Sequence, residues 1–453
     1  MLEKYKGMYW HALHTEMAAF WKSNDTMKPF CQNAISGNSL KYGSKPVPRH
    51  SLHVCHLAYT FYEGDNRVIR YAEMMHEQGN DVEVVALREK GQEQCTERNG
   101  IRVFHLQHRT VNEKYALTYL VKLLFFLIRS TIFISLQHLR RPYHVLHVHN
   151  MPDFLVFAVW LPKLTGAKII LDIHDILPEL FADKFGGNKK SFLFRLLLLV
   201  ERMSCAFADH VIVANDIWRD RLISRSVSEN KCTTIMNYPN LQLFKPLPES
   251  EKRNDGKFVM IYPGSLNYHQ GLDVAVKAFA RIKDELPFIE FYIYGSGPAK
   301  EELIALVKEL NLSDRIFFPP SLPLEEIAKI MARADLGIIP KRAEGFGNEA
   351  FSTKTLEFMA CGVPIIVSDT RIDRYYFDDS IAVFFKSGDE EALAEAMRYA
   401  VQNQEKMRRL SQHALTFVSG KSWEKHKNMY DSILKSLLED FSDNDKRTMH
   451  SSN

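Results

Sequence analysis

Cysteine is scarce in this sequence: six residues in 453, at positions 31, 55, 95, 205, 232 and 361, with no CxxC pair among them. A secreted disulfide scaffold and a zinc ribbon are disfavoured, and a reducing compartment fits. An excess of either charge is also lacking. Lys plus Arg is 58 against 55 for Asp plus Glu, a net charge of +3. No basic stripe with interleaved aromatics appears, so no nucleic-acid partner is expected. The opening residues, MLEKYKGMYWHALHTEM, lack the apolar core and small-residue cleavage site of a secretory leader.

Long uncharged apolar runs are missing too. A membrane span wants about 20 nearly uncharged residues. Tyr115–Leu139 contains LLFFLI and TIFISL but is broken by Lys122 and Arg129, which share one helical stripe with Thr118. Ser191–Met203 (SFLFRLLLLVERM) is shorter and carries Arg195, Glu201 and Arg202. Both read as amphipathic helices, packed in the core or lying on a bilayer surface.

What is present is an ordinary packed composition, 46% hydrophobic and 25% charged. At about 150 residues per domain the chain holds two or three domains. Residues 1–50 show little periodicity and read as an N-terminal extension. From Ser51 the text alternates: SLHVCHLAY (strand), FYEGDNR (glycine loop), VIRYAEMMHEQG (helix), DVEVVAL (strand), with IRVFHL, YHVLHVHN, AKIILDIHD and HVIVAN following. That order opens a parallel, doubly wound α/β sheet. A proline- and charge-rich stretch, 246–257, reads as a linker between a first domain at 51–245 and a second at 258–418. The second repeats the plan through KFVMIYPGS, FIEFYIYGSGP, RIFFPP, DLGIIP and VPIIVSD. A helix within 419–440, Ser422–Leu438, should follow, with 441–453 as a disordered polar tail. The expected fold is therefore two Rossmann-like domains facing across a cleft.

The segment from Arg342 to Asp369, RAEGFGNEAFSTKTLEFMACGVPIIVSD, concentrates the chemistry. Gly345 and Gly347 allow close backbone approach to a ligand. Ser352 can cap a helix whose free amides suit a phosphate, and Lys354 adds a charge in the first turn. Glu349 and Glu357 can offer carboxylates to sugar or ribose hydroxyls. The plainer reading is a capped surface helix with solvated glutamates.

Glu349-AFSTKTL-Glu357, with FYIYGSGP upstream and MACGVPIIVSD downstream, resembles glycosyltransferase family 4, retaining enzymes of the GT-B fold. The likeness extends over most of Ser51–Leu438 and includes a final helix that would cross back to the first domain. It implies sugar transfer from a nucleotide diphosphate donor with retained configuration, the nucleotide in the second domain and the acceptor mainly in the first. By that resemblance Glu349 contacts the donor sugar near the reacting carbon, and Glu357 holds the ribose. The backbone at Ala350, Phe351, Ser352, Thr353 and Lys354 meets the diphosphate. His174, in LDIHDILPE, matches the family's first-domain histidine beside the donor sugar. Gly264, Ser265, Gly295 and Gly297 line the nucleotide pocket, with Phe317, between Ile316 and Phe318, near the base. Gly64 and Asp65 stand where the family often has Gly-Gly beside the diphosphate, and Asp65 suggests a role in placing the acceptor.

One departure stands out. The family's arginine, and the lysine five residues later, are here Ser265 and Gln270 in YPGSLNYHQG. Lys354, Arg342 or Lys341 would have to supply the missing charge. The mechanism implied needs no metal, because the departing phosphate itself takes the acceptor proton. No cofactor is expected, and Asp443-Asn444-Asp445 reads as solvated chain. His147 and His149 share a strand face without a third ligand in view, a pair that more often packs or hydrogen-bonds than binds zinc, and the glycosylation triplets at Asn24 and Asn311 read as chance matches. Two rivals remain on the same frame: a nucleotide-sugar epimerase, and a non-catalytic membrane-associated relic. The expected setting is a bacterial glycan pathway on the cytoplasmic side, with a nucleotide sugar, a glycan or lipid-linked acceptor and peripheral membrane contact as partners. The sequence leaves the oligomeric state open.

Overall fold

The computed structural model describes residues 51–109, 116–184, 191–251 and 253–450. The expected extension 1–50 with Asn24, the residue Tyr115 and the last residues of the expected tail, 451–453, lie outside them.

Val, Ile and Leu runs bounded by glycine and polar turns build two sheets. The first contains β1 (His53–Ala58), β2 (Asp81–Arg88), β3 (Cys95–Arg98), β4 (Ile101–His108), β5 (Val145–His149), β6 (Lys168–Ile173), β7 (His210–Val213) and β8 (Cys232–Thr234). The second contains β9 (Phe258–Pro263), β10 (Ile289–Tyr294), β11 (Ile316–Phe317), β12 (Leu336–Ile339), β13 (Ile365–Ser368) and β14 (Val383–Phe385). The first lobe carries helices α1 (Asn66–Glu77), α2 (Ala116–Arg140), α3 (Trp160–Leu164), α4 (Leu177–Lys184), α5 (Phe192–Phe207) and α6 (Asp216–Arg225). The second carries α7 (Leu272–Ile282), α8 (Lys300–Glu309), α9 (Leu324–Arg333), α10 (Thr353–Ala360), α11 (Arg371–Tyr376), α12 (Glu390–Gln402) and α13 (Gln404–Ser419), and α14 (Trp423–His450) ends the described chain.

The first sheet runs β3-β4-β2-β1-β5-β6-β7-β8 and the second β11-β10-β9-β12-β13-β14. Pairing is parallel throughout except for β3, which lies antiparallel to β4. That edge hairpin turns through Asn99 and Gly100, both at positive φ, as a two-residue hairpin turn demands. Strand order reverses between β1 and β5 and again between β9 and β12. In doubly wound sheets, ligands bind in the crevice that such reversals open beyond the strand C-termini.

α14 closes the molecule. Tyr430, Ile433, Leu434 and Leu437 recur at helical spacing and bury into the first lobe's core with Val54, Tyr71 and Val84. The helix continues to His450, beyond the expected end at Leu438 and through most of the expected disordered tail. Nothing in that stretch stops it: the sequence after Gly420 contains neither glycine nor proline. The Asp443-Asn444-Asp445 triplet is therefore helical, not loose chain.

Candidate active site

The loop after β12 passes through a 3-10 turn, Gly345–Asn348, to Glu349 and then α10. Ser352 stands at the N-cap position, as expected, but its side chain makes no capping bond and its Oγ is buried without a partner. The amides at this helix start are consequently not satisfied by a cap, which leaves them for an anion. Phe351 packs edge-on against Tyr376, 5.3 Å between ring centroids, and wedges the turn in place.

The three cations expected to replace the missing grip separate cleanly. Lys341 is buried, 2.8 Å from Asp373 and 2.8 Å from the Ala350 carbonyl, so its charge is already neutralised. Arg342 pairs with Asp273 at 2.6 Å and lies over the Tyr268 ring. Lys354 has no carboxylate within ion-pair distance among the described residues. Its Nζ lies 5.2 Å from the Tyr262 ring centroid, and a methyl group added at Gly264 would fall 2.9 Å from it. The side chain thus reaches from the first turn of α10 back over the loop that holds Ser265. Ser265 is exposed and Gln270 is turned inward, its Nε2 3.0 Å from His269. Burial lowers the Lys354 ammonium to about 8; Glu357 opposes that shift and Lys341 adds to it. Burial raises the Glu357 carboxyl, against the pull of Lys354 and Arg70.

Gly295 and Gly264 meet backbone to backbone. A Cβ on Gly295 would fall 1.8 Å from the Gly264 carbonyl oxygen, at a φ of +138°. A Cβ on Gly297 would fall 2.4 Å from the Leu266 carbonyl oxygen. These glycines pack the two loops at the strand ends into one floor. Phe317 lies 4.8 Å from Tyr292 in a partly buried aromatic pair beside that floor.

Glu349 faces the other lobe. Its Oε1 accepts from Arg221 Nη2 on α6 at 2.5 Å and from Arg371 Nη1 on α11 at 2.9 Å, while Asn215 donates to its carbonyl. The Tyr376 hydroxyl accepts from the Asp216 amide and donates to its carboxylate. These contacts join loops at the C-terminal ends of both sheets, which is where the cleft lies. Arg221, Arg371 and Arg70 were not singled out from the sequence, since no local spacing links them to Glu349 or Glu357.

His174 stands at the end of β6, partly exposed, with Nε2 3.1 Å from Asp172 Oδ2 and 3.2 Å from His149 Nδ1. Arg67 grips Asp172 through two bonds of 2.7 Å. Burial raises the Asp172 carboxyl, but Arg67, then His174 and the hydrogen bonds of both histidines, hold it well below the usual carboxylate range. His147 and His149 hydrogen-bond, as expected, but third ligands that the sequence does not bring into view lie beside them. His56 lies 3.2 Å from His149, and Tyr430 of α14 lies 2.9 Å from His147. His56, His147 and His149 converge closely enough to hold an ion, as do His149, Asp172 and His174. Burial drives His56 and His147 well below their ordinary value. The Arg67 guanidinium already occupies both oxygens of Asp172, so a dication sharing that carboxylate would meet a fixed positive charge. Asp65 is a helix cap: its Oδ1 accepts from the Arg67 and Val68 amides. Gly64 precedes it in a short 3-10 turn with open space around its Cα.

Two doubly wound lobes, each open at its switch point and meeting at Glu349, define a GT-B glycosyltransferase. The family assignment follows from two profiles: "Glycosyl transferase 4-like domain" matches residues 65–237 and "Glycosyl transferases group 1" matches residues 244–417. The chain belongs to glycosyltransferase family 4. It is 24% identical over 334 residues to a chitobiosyldiphosphodolichol beta-mannosyltransferase of Candida glabrata, covering 67% of this chain and 72% of that one. It is 26% identical over 322 residues to the O-antigen biosynthesis glycosyltransferase WclY of Escherichia coli, covering 67% and 82%. Among solved structures, sucrose-phosphate synthase from Thermosynechococcus elongatus superposes with a TM-score of 0.70 at 18% identity, over 85% of this chain and 99% of that one. Anabaena HepE in complex with UDP and glucose superposes at 0.66 and 15% identity, over 85% and 100%.

Proposed function

We propose that this glycosyltransferase moves a sugar from a nucleotide diphosphate sugar to a glycan or lipid-linked saccharide, retaining the anomeric configuration and using no metal. The observation that carries the reading is Lys354, an ammonium in the first turn of the uncapped α10 that has no carboxylate partner among the described residues and reaches over the Gly264 loop, with Glu357 one turn further on. A nucleoside diphosphate leaves with concentrated negative charge, and fixed positive groups in a water-poor site stabilise it as it develops. Lys354 and the amides at the start of α10 supply that field in place of the arginine and lysine that Ser265 and Gln270 lack.

In the reaction proposed, the bond from the anomeric carbon to the diphosphate oxygen breaks. A bond to the acceptor hydroxyl forms on the same face, and the hydroxyl proton passes to the departing phosphate oxygen. Glu349 fixes the sugar near the reacting carbon. His174, held by Asp172, which Arg67 fixes in turn, orients a sugar hydroxyl from the first lobe. Glu357 takes the ribose hydroxyls. The names of the relatives, one acting on a dolichol diphosphate saccharide and one in O-antigen synthesis, support a glycan or lipid-linked acceptor.

The test is thermal shift against UDP-, GDP- and ADP-sugars. A ligand of the folded state raises the melting temperature with the logarithm of saturation. One nucleotide should shift the wild type and fail to shift Glu357→Ala. Product anomeric configuration by NMR, and turnover unaffected by EDTA, test retention and metal independence. No shift with any donor in the folded protein would leave the relic as the better account.

A further inference from the structure

The surface formed by α2, α3 and α5 has no role in the donor site, and it is unlike the rest of the molecule. On α2, Leu120, Leu124, Ile128, Ile132 and Leu136 recur every four residues and are all exposed. On α5, Phe192, Leu196, Leu199 and Met203 form a second exposed row, with Phe192 81% exposed. Both helices pack against the segment Asp153–Val159, which leads directly into α3, where Trp160 and Leu164 are also exposed. The rows therefore flank one stretch of chain. Faces of this extent on soluble proteins mark interaction sites.

We infer that this face lies on an anionic membrane surface, with α2 and α5 in the plane of the headgroups. α2 is long and apolar enough to cross a bilayer, but its other face belongs to the fold. Leu123, Phe126 and Ile134 are buried, and buried His138 bonds Thr165 and the Tyr143 amide. A helix fixed along one side in this way can lie on a membrane but cannot thread it without unpacking the lobe. The charges choose the occupant. α2 has no acidic residue, and it carries Lys122, Arg129 and Arg140. On α5, Arg195 and Arg202 are exposed, while its single acid, Glu201, is turned inward onto Arg225 at 2.6 Å. An apolar crest flanked by the exposed Arg140, Arg195 and Arg202, with no exposed carboxylate on either helix among the described residues, suits anionic lipid. A symmetric pairing with a second copy would set these arginines among their own kind, without acids to answer them.

Flotation of the full chain with vesicles tests this. With phosphatidylcholine containing phosphatidylglycerol the protein should float; with phosphatidylcholine alone, or in high salt, far less should. Leu124→Glu with Leu196→Glu should abolish flotation. Each arginine near an anionic surface contributes about fivefold to partition, so losing Arg195 and Arg202 together should lower it about 25-fold. The variants should keep the wild-type circular dichroism and the wild-type nucleotide thermal shift, since none of these residues is in the donor site; the outcome is thus separable from that of the proposed reaction. No flotation with either vesicle would overturn the inference, and so would flotation indifferent to Leu124→Glu and Leu196→Glu. A dimer in light scattering that the same two substitutions dissolve, in protein that does not float, would assign the face to a second copy instead.

Discussion

Lys354 is under two opposed demands. Burial favours the neutral amine, and the diphosphate proposed to bind there would favour the ammonium. With the free side chain near 8, nucleotide affinity should fall as pH rises through that value, and binding at pH 8 should take up a proton. Calorimetry in two buffers of different ionisation enthalpy reads the uptake directly. Lys354→Met should remove both the uptake and the pH step, and lose about 1.5–3 kcal/mol of nucleotide binding, roughly ten- to hundredfold. The stability sign is opposite. A lysine depressed in the folded state is a cost at pH 7 that is relieved as pH rises from about 8 toward its ordinary value. The methionine variant without ligand should therefore melt no lower than the wild type, which a purely structural lysine would not allow. Gly295→Ala makes the contrasting case: its methyl would meet the Gly264 carbonyl at a φ that alanine avoids, so a stability loss of about 2 kcal/mol or more should appear as a lowered melting temperature.

At the scale of elements, α14 is the piece whose removal should matter most. Leu434 is buried among first-lobe side chains, and Leu434→Ala should destabilise by about 2–5 kcal/mol in denaturant melts. Much of this architecture was legible, because Val- and Ile-rich runs ended by glycine announce buried parallel strands without help from distant residues. β3 was not read as a strand. Its residues CTER are mostly exposed and give no apolar alternation, although the Asn99-Gly100 pair beside it was a usable turn signal. The site divides in the same way. Glu349, Ser352, Lys354 and Glu357 are neighbours in sequence and could be read together, though not that Ser352 leaves its helix uncapped. Arg221, Arg371, Arg67 and His56 come from elements far apart in the chain, and only the folded lobes bring them to Glu349, Asp172 and His149. No local pattern encodes such a meeting.

At the scale of the molecule, the lobes are linked at the cleft by the Arg221–Glu349 ion pair and the Tyr376–Asp216 hydrogen bonds, as well as by α14. Arg221 holds Glu349, so the donor sugar proposed to sit at Glu349 would compete with a cross-cleft contact. Arg221→Ala should widen the ligand-free cleft, seen as a larger radius of gyration in solution scattering. It should cost less than about 1 kcal/mol of stability, since the pair is partly exposed.

The route of α14 also bears on how the protein is made. Domains generally fold as units, N-terminal first, while the chain is still being synthesised. Here Tyr430, Ile433, Leu434 and Leu437, translated after both sheets, complete the core of the lobe that was translated first. That lobe emerges early with a slot along β1 and α1 that nothing fills until α14 has been made. A message truncated after α13 should therefore yield an intact second lobe joined to an unfinished first one, with the apolar slot open to chaperones and proteases.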